Sequence, residues 1–239
     1  MSLYRDHAVV LRTIRLGEAD RIVTFVTQAH GKVRAVAKGV RKTKSRFGGR
    51  LEPITHVAAQ FYEGRELDIV TQVETVDHFR AVREDLDRVA KATSLLEAVD
   101  QVAQEREPNP RLYRMLVGAL RALAAHDAPL LVPAFFWKLL SLEGAHPLLD
   151  RCAGCGADDE ELVAFDMAVG GALCRACRQG QAVSPEALAL VRRILEGGLA
   201  DALNEPASAA THEVEHLAAR ALEAHLERRL RSLHVLDRG

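Results

Sequence analysis

The chain has 239 residues, 48% of them hydrophobic, 27% charged and 5% aromatic, with a formal net charge of −1. That length holds one large domain or two or three small ones, and the composition is ordinary for a soluble globular protein. No apolar run is long enough to span a bilayer and the start, MSLYRDHAVV, lacks a secretory layout, so a reducing cytoplasm is the expected compartment. Charge is unevenly placed: residues 1–50 carry twelve Lys or Arg against three Asp or Glu. A basic binding module attached to an acidic body is the arrangement this predicts.

Residues 4–16 and 21–27 alternate in the manner of strands, joined by a turn at Gly17–Asp20. Residues 32–38 alternate again, with Val33, Ala35 and Ala37 on one face and Lys32, Arg34, Val36 and Lys38 on the other. A polar loop follows Gly39 and closes at Gly48-Gly49; then come LEPITHVAAQFY (51–62), a turn, and LDIVTQVETV (67–76). Five short β-branched segments joined by turn signals predict five antiparallel strands in an OB-like barrel. From about Val82 the period changes to that of a helix. One face is traced by Leu86, Val89, Thr93, Leu96, Val99 and Ala103; a second helix carries Leu112 to Leu123; a third, from Leu131, is apolar almost all round and so is expected to be buried. Ser184-Pro185 opens another helix with a serine cap and proline at its first position, its apolar side running through Leu188, Val191 and Leu195. Residues 199–210 read as a loop or short helix, and 211–235 as a long final helix whose stripe includes Leu217, Leu230 and Leu233.

Two stretches carry chemistry. The first is GKVRAVAKGVRKTKSRFGGR (31–50), which holds Lys32, Arg34, Lys38, Arg41, Lys42, Lys44, Arg46 and Arg50 and no acid. A strand that delivers cations to its exposed face and feeds a basic loop suits a phosphate backbone, and Phe47 offers a ring on which a base could stack. The second is the cysteine quartet, C-A-G-C at 152–155 and C-R-A-C at 174–177. Two CxxC knuckles at this spacing predict one tetrahedral zinc ion held by Cys152, Cys155, Cys174 and Cys177. Four thiolates leave no open coordination position, so the ion's expected role is structural, and the small hairpin between the knuckles, turning at Gly170-Gly171, is expected to depend on it. A redox dithiol would need only one such pair.

A third pattern competes. His212-Glu213-Val214-Glu215-His216 matches H-E-x-x-H on a predicted helix, the layout of a zinc protease with Glu213 as base. Position 219 is Ala and position 222 is Leu, so the extended pattern with a third histidine is missing. A solvated helix face is the plainer reading. No Walker loop, G-x-S-x-G or nucleotide-binding glycine motif is present, and no enzyme activity is expected. A zinc-ribbon adaptor for protein partners is the third alternative.

The stretches AVAKGVRKTKSRFGGRLEP (35–53), LLSLEGAHPLLDRCAGCG (139–156) and GGALCRAC (170–177), in that order and spacing, resemble the RecO family of bacterial recombination mediators. The resemblance implies an α+β multidomain protein. Residues 1–80 would form the OB-fold barrel, 81–150 with 184–239 a helical domain, and 151–183 an inserted zinc segment. Some members of that family lack the cysteines, which suits a structural zinc. The resemblance also implies binding of single- and double-stranded DNA, strand annealing, and action with RecR to help RecA replace single-strand-binding protein, whose tail docks on the helical domain. On this reading the eight cations from Lys32 to Arg50 contact phosphates, Arg192 and Arg193 are a second candidate site, and the protein works in the cytoplasm at the nucleoid.

Overall fold

A computed structural model describes residues 2–232, which fall into two compact units, 2–125 and 126–232. No helix among the described residues is long and apolar enough to cross a membrane.

The first unit is built on a closed barrel of five strands: β1 (Leu3–Leu16), β2 (Asp20–Thr27), β3 (Lys32–Ala37), β4 (His56–Tyr62) and β5 (Asp68–Asp77), in the order β1-β2-β3-β5-β4. All neighbours are antiparallel except β3 and β5, which run parallel through Ala35↔Asp68 and Val36↔Ile69. The expectation of five antiparallel strands therefore fails at that one seam, where a barrel of this connectivity must close. Alternation decides what goes inside: Ala8, Val10, Val23, Phe25, Val33, Ala35, Ala37, Val57, Ala59, Phe61 and Val70 form the interior. Two large rings, Phe25 and Phe61, meet edge to face at 5.3 Å. The segment read as one strand from 51 to 62 begins as a 3-10 turn, Gly48–Leu51, and becomes a strand only at His56. Ile54 takes a left-handed conformation (φ 74°) between them, so the chain bends there before β4 can start.

Two longer helices, α2 (Leu86–Val102) and α3 (Pro110–Ala125), complete this unit after a single turn, α1 (Arg80–Arg83). Asp85 caps α2 by accepting from the Asp87 and Arg88 amides. The buried stripe of α2 is Ala92, Leu95, Leu96 and Val99; Leu86 is 83% exposed and Thr93 is exposed too, so the predicted face is offset by part of a turn. The segment after α2 lies along the start of β3: Lys32 N donates to Gln104 O and Arg106 N to Lys32 O, both at 3.0 Å. Gly31 makes this possible, because a Cβ there would sit 2.1 Å from Glu107 O.

The second unit holds α4 (Leu131–Leu142), strands β6 (Leu162–Asp166), β7 (Gly171–Cys174) and β8 (Gln181–Ala182), then α5 (Pro185–Leu195), α6 (Leu199–Leu203) and α7 (Ala209–His225). Nine residues of α4 are buried, as its continuous apolar run predicts. The strands form one sheet, β7-β6-β8. The hairpin turn is set by Asp166, whose Oδ1 accepts from the Ala168 and Val169 amides at 2.9 Å; Gly170 closes it and Gly171 is already in β7. β8 had no signal of its own at two residues. Ile194, not Leu195, joins the buried side of α5. The final helix is shorter than expected. It stops at His225 because Glu227 turns left-handed (φ 50°) and the Glu227 and Arg228 amides bond back to Ala224 O and Glu223 O. Leu230 N then donates to Glu223 Oε1 at 2.9 Å. The expected extension through Leu233 to 235 lies outside the described residues.

Candidate nucleic-acid interface and metal centre

β3 ends at Ala37, and Gly39 (φ 68°) turns the chain into the basic loop. The loop is fastened at its base to the β1–β2 turn. Gly39 N donates to Asp20 Oδ1 at 2.7 Å, Arg41 N to Ala19 O at 3.0 Å, and the Arg41 guanidinium to the carbonyls of Gly17 and Glu18 at 3.3 and 2.9 Å. At the far end Phe47 and Leu51 enter the barrel interior and hold the loop down. Between these anchors Lys38, Arg41, Lys42, Lys44, Arg46 and Arg50 are all exposed. Among the described residues none of the six is in an ion pair; the hydrogen bonds of Arg41 and Arg50 go to neutral carbonyls, Arg50 to Arg46 O at 2.9 Å. Six uncompensated cations on one anchored loop create a field that attracts polyanions and is screened by salt.

Three residues of the basic stretch depart from the expectation. Lys32 is only 15% exposed at its side chain; its ammonium donates to Asp100 O at 2.7 Å, 3.6 Å from Asp100 Oδ1. Arg34 lies 3.5 Å from Glu105. The outward face of β3 at these two positions is covered by the end of α2 and the segment after it, so the cations are spent on the protein's own acids. Phe47 is 2% exposed and buried in the barrel, with the Arg46 guanidinium 4.8 Å above its ring. It is a core residue with a cation over one face of its ring, not an open stacking platform. Asp20, Asp100 and Glu105 are the acids that fasten this stretch to the rest of its unit. A charge count along the chain does not show which acid faces which base.

Arg192 and Arg193 are in the second unit, on the last turn of α5. Both are half-buried. Arg192 donates through Nε (2.9 Å) and Nη2 to Leu149 O, which holds the approach to the first cysteine knuckle. Arg193 is paired with Glu205.

The four cysteine sulfurs converge, all lying within 4.8 Å of one another, and no other group of three or more His, Cys, Asp or Glu among the described residues does so at metal-binding distance. The cysteines are unbridged. A tetrahedron with metal–sulfur bonds of about 2.3 Å has edges of about 3.8 Å, and Cys155 Sγ and Cys174 Sγ are 3.9 Å apart. The donor set and its spacing therefore fit a metal ion. Gly154 allows the knuckles to close: a Cβ there would sit 3.2 Å from Cys177 Cβ and 3.3 Å from its sulfur. Backbone amides, first that of Cys174, pull the Cys152 thiol down to about 6, while hydrogen bonds among the thiols, first with Cys155, push Cys177 up to about 12. Four thiolates this close repel one another, and a divalent cation removes that repulsion.

The H-E-x-x-H pentad does not converge in this way. His212 and His216 point into solvent on α7. Both oxygens of Glu213 are taken by Ser184, at 2.7 Å from its amide and 2.6 Å from its hydroxyl. Glu213 thus secures the capped start of α5 to α7, and that accounts for the pentad's one partly buried acid.

An anchored cationic loop on the closed five-stranded barrel and a cysteine quartet within the second unit are the two features that point to an identity. The family model described as recombination protein O N terminal matches residues 1–79, and that described as recombination protein O C terminal matches residues 83–234. The chain belongs to the RecO family of recombination and DNA-repair mediators.

Proposed function

We propose that this protein binds single- and double-stranded DNA through the loop 38–50, anneals complementary strands, and acts with RecR to load RecA onto DNA coated by single-strand-binding protein. The observation that carries the reading is the set of six exposed cations, Lys38, Arg41, Lys42, Lys44, Arg46 and Arg50, with no acid paired to any of them among the described residues. Each phosphate they neutralise releases a condensed counterion, and a loop that screens two strands at once lowers their mutual repulsion so that bases can meet. Lys32 and Arg34 support the loop instead of touching DNA, and Arg192 and Arg193 serve the second unit's own fold. RecR and the tail of single-strand-binding protein are the protein partners of this reading, and the cytoplasm, at the nucleoid, is its location. The metal is one structural zinc ion on Cys152, Cys155, Cys174 and Cys177, which four sulfur donors favour over harder cations. No catalytic role is assigned.

The test is a triple Lys38→Ala, Arg41→Ala, Lys44→Ala variant, titrated with single strands and duplex across a salt series. Three lost phosphate contacts should lower the slope of log K against log salt by about 2 for single strands. An unchanged affinity with an unchanged slope rejects the loop as the site.

A further inference from the structure

Two adjacent residues at the start of β2 hold both ends of the cationic loop. At the entry, Asp20 Oδ1 accepts the amide of Gly39, the left-handed residue (φ 68°) at which the chain leaves the line of β3. At the exit, Arg21 Nη1 donates to Glu52 Oε1 at 2.7 Å, one residue past Leu51, which is buried in the barrel interior. Between these points the Arg41 amide is fixed to Ala19 O, and the loop folds on itself through Lys42 N to Gly39 O at 3.2 Å and Ser45 N to Lys42 O at 2.9 Å. Val40, directly after Gly39, packs against the barrel interior. The Asp20 carboxylate has no ion pair among the described residues, and its one hydrogen bond there is to the Gly39 amide. It is an acid at the base of a loop read as a phosphate-binding surface, where its charge opposes binding.

We infer that Asp20 is a positioning residue for DNA binding. By holding the Gly39 amide it fixes the direction in which the loop leaves β3, and with the Arg21–Glu52 pair it presents the six cations as a set before DNA arrives. This rests on the proposed function above and names the residues that prepare that site. A loop released at its entry has to be ordered by the ligand, and that ordering is subtracted from affinity. The Gly39 amide needs only an acceptor, so a neutral carbonyl oxygen in the same place serves it as the carboxylate does. Positioning is therefore separable from charge. Removing the negative charge alone favours DNA. Removing the acceptor disfavours DNA even though the charge goes with it.

Asp20→Asn and Asp20→Ala in the full chain test this by fluorescence anisotropy with oligo(dT) across a salt series, beside the urea midpoint of each variant. Asp20→Asn keeps an oxygen for the Gly39 amide and should bind as tightly as the native chain, or up to about threefold more tightly. Asp20→Ala should weaken binding about tenfold at every salt concentration with an unchanged salt slope, because the same cations still meet phosphates once the loop is ordered. Equal changes in the two variants, in either direction, overturn the inference, and so does a slope that falls in Asp20→Ala. If Asp20→Ala does not fold, Glu52→Ala carries the test from a more exposed position, its side chain being 45% exposed. Weaker binding there despite the loss of an acid supports the inference, and tighter binding overturns it. The triple loop variant separates the two readings. If it loses salt slope while Asp20→Asn and Asp20→Ala behave alike, the proposed site stands without Asp20; if it binds normally, the site and the inference both fall.

Discussion

Lys32 Nζ donates to the backbone carbonyl of Asp100 at 2.7 Å, joining the start of the basic strand to the last turns of α2. The same aspartate is 2.6 Å from Arg12 Nε, so one acid serves two strands of the barrel. Because Lys32 and Asp100 are largely buried, the interaction is worth more than a surface pair, about 1–3 kcal/mol. Lys32→Met should therefore lower the urea midpoint of the protein and leave the salt slope of DNA binding untouched. A reduced slope with unchanged stability would return Lys32 to the list of phosphate contacts.

Phe47 gives a second contrast between a supporting and a contacting role. It is fully enclosed by the barrel interior, so Phe47→Ala should cost about 3–5 kcal/mol through the cavity left behind. Phe47→Leu should cost much less and retain DNA affinity, since its packing role survives the loss of the ring. If Phe47→Leu folds normally yet loses single-strand binding, the ring does act on bases and the buried conformation is not the bound one.

Much of this was legible in the chain itself. Alternation at Val33, Ala35 and Ala37 gives the inward face of β3 correctly, Ser184-Pro185 gives the start of α5, and the two CxxC knuckles give the convergent sulfurs. The failures share a cause, which is that a period of two or 3.6 says which side a residue faces and not what it meets there. Lys32 and Arg34 do face outward, but α2 and the segment behind it supply acids to that face. Phe47 sits in a loop without periodicity, where nothing local signals that the ring folds back into the barrel. Glu227 ends α7 in a left-handed turn without the glycine that would mark it.

His56 provides the pH dependence. Its ring is buried against Tyr113, with Nε2 2.7 Å from the tyrosine hydroxyl, and Nδ1 has no hydrogen-bond partner among the described residues. Burial first, then His7 and Arg121, lowers its pKa from 6.5 to about 4, while burial raises Tyr113 to about 12. A folded value below the unfolded one means that between pH 6.5 and pH 4 the unfolded chain binds a proton that the folded chain does not. The contribution is thus fully present above pH 6.5 and is lost as pH falls towards 4, by at most about 3 kcal/mol. Urea midpoints at pH 7.5, 6 and 5 should fall in that order, and His56→Leu should flatten the part of the curve between 6.5 and 4. An unchanged profile in that variant assigns the acid sensitivity to other groups.

The metal's influence can be read from one side chain. Trp137 is the chain's single tryptophan, it is 1% exposed, and its ring meets Phe165 of β6 at 5.7 Å. Phe165 lies between the two knuckles, so anything that loosens the cysteine quartet should loosen the indole's surroundings. Chelation is expected to shift Trp137 emission to the red and to lower the Tm. For an ion held a thousandfold above its Kd the loss is about 4 kcal/mol, or roughly 8–16 °C in a chain of this size. Zinc added back should restore both signals, and Cys174→Ser, which replaces a buried thiol, should abolish the response to zinc. Because the cationic loop belongs to the other unit, the salt slope of DNA binding should persist in the chelated protein at temperatures where the barrel remains folded. Constant tryptophan emission on complete metal removal would show that the hairpin holds its position by packing on α4 alone.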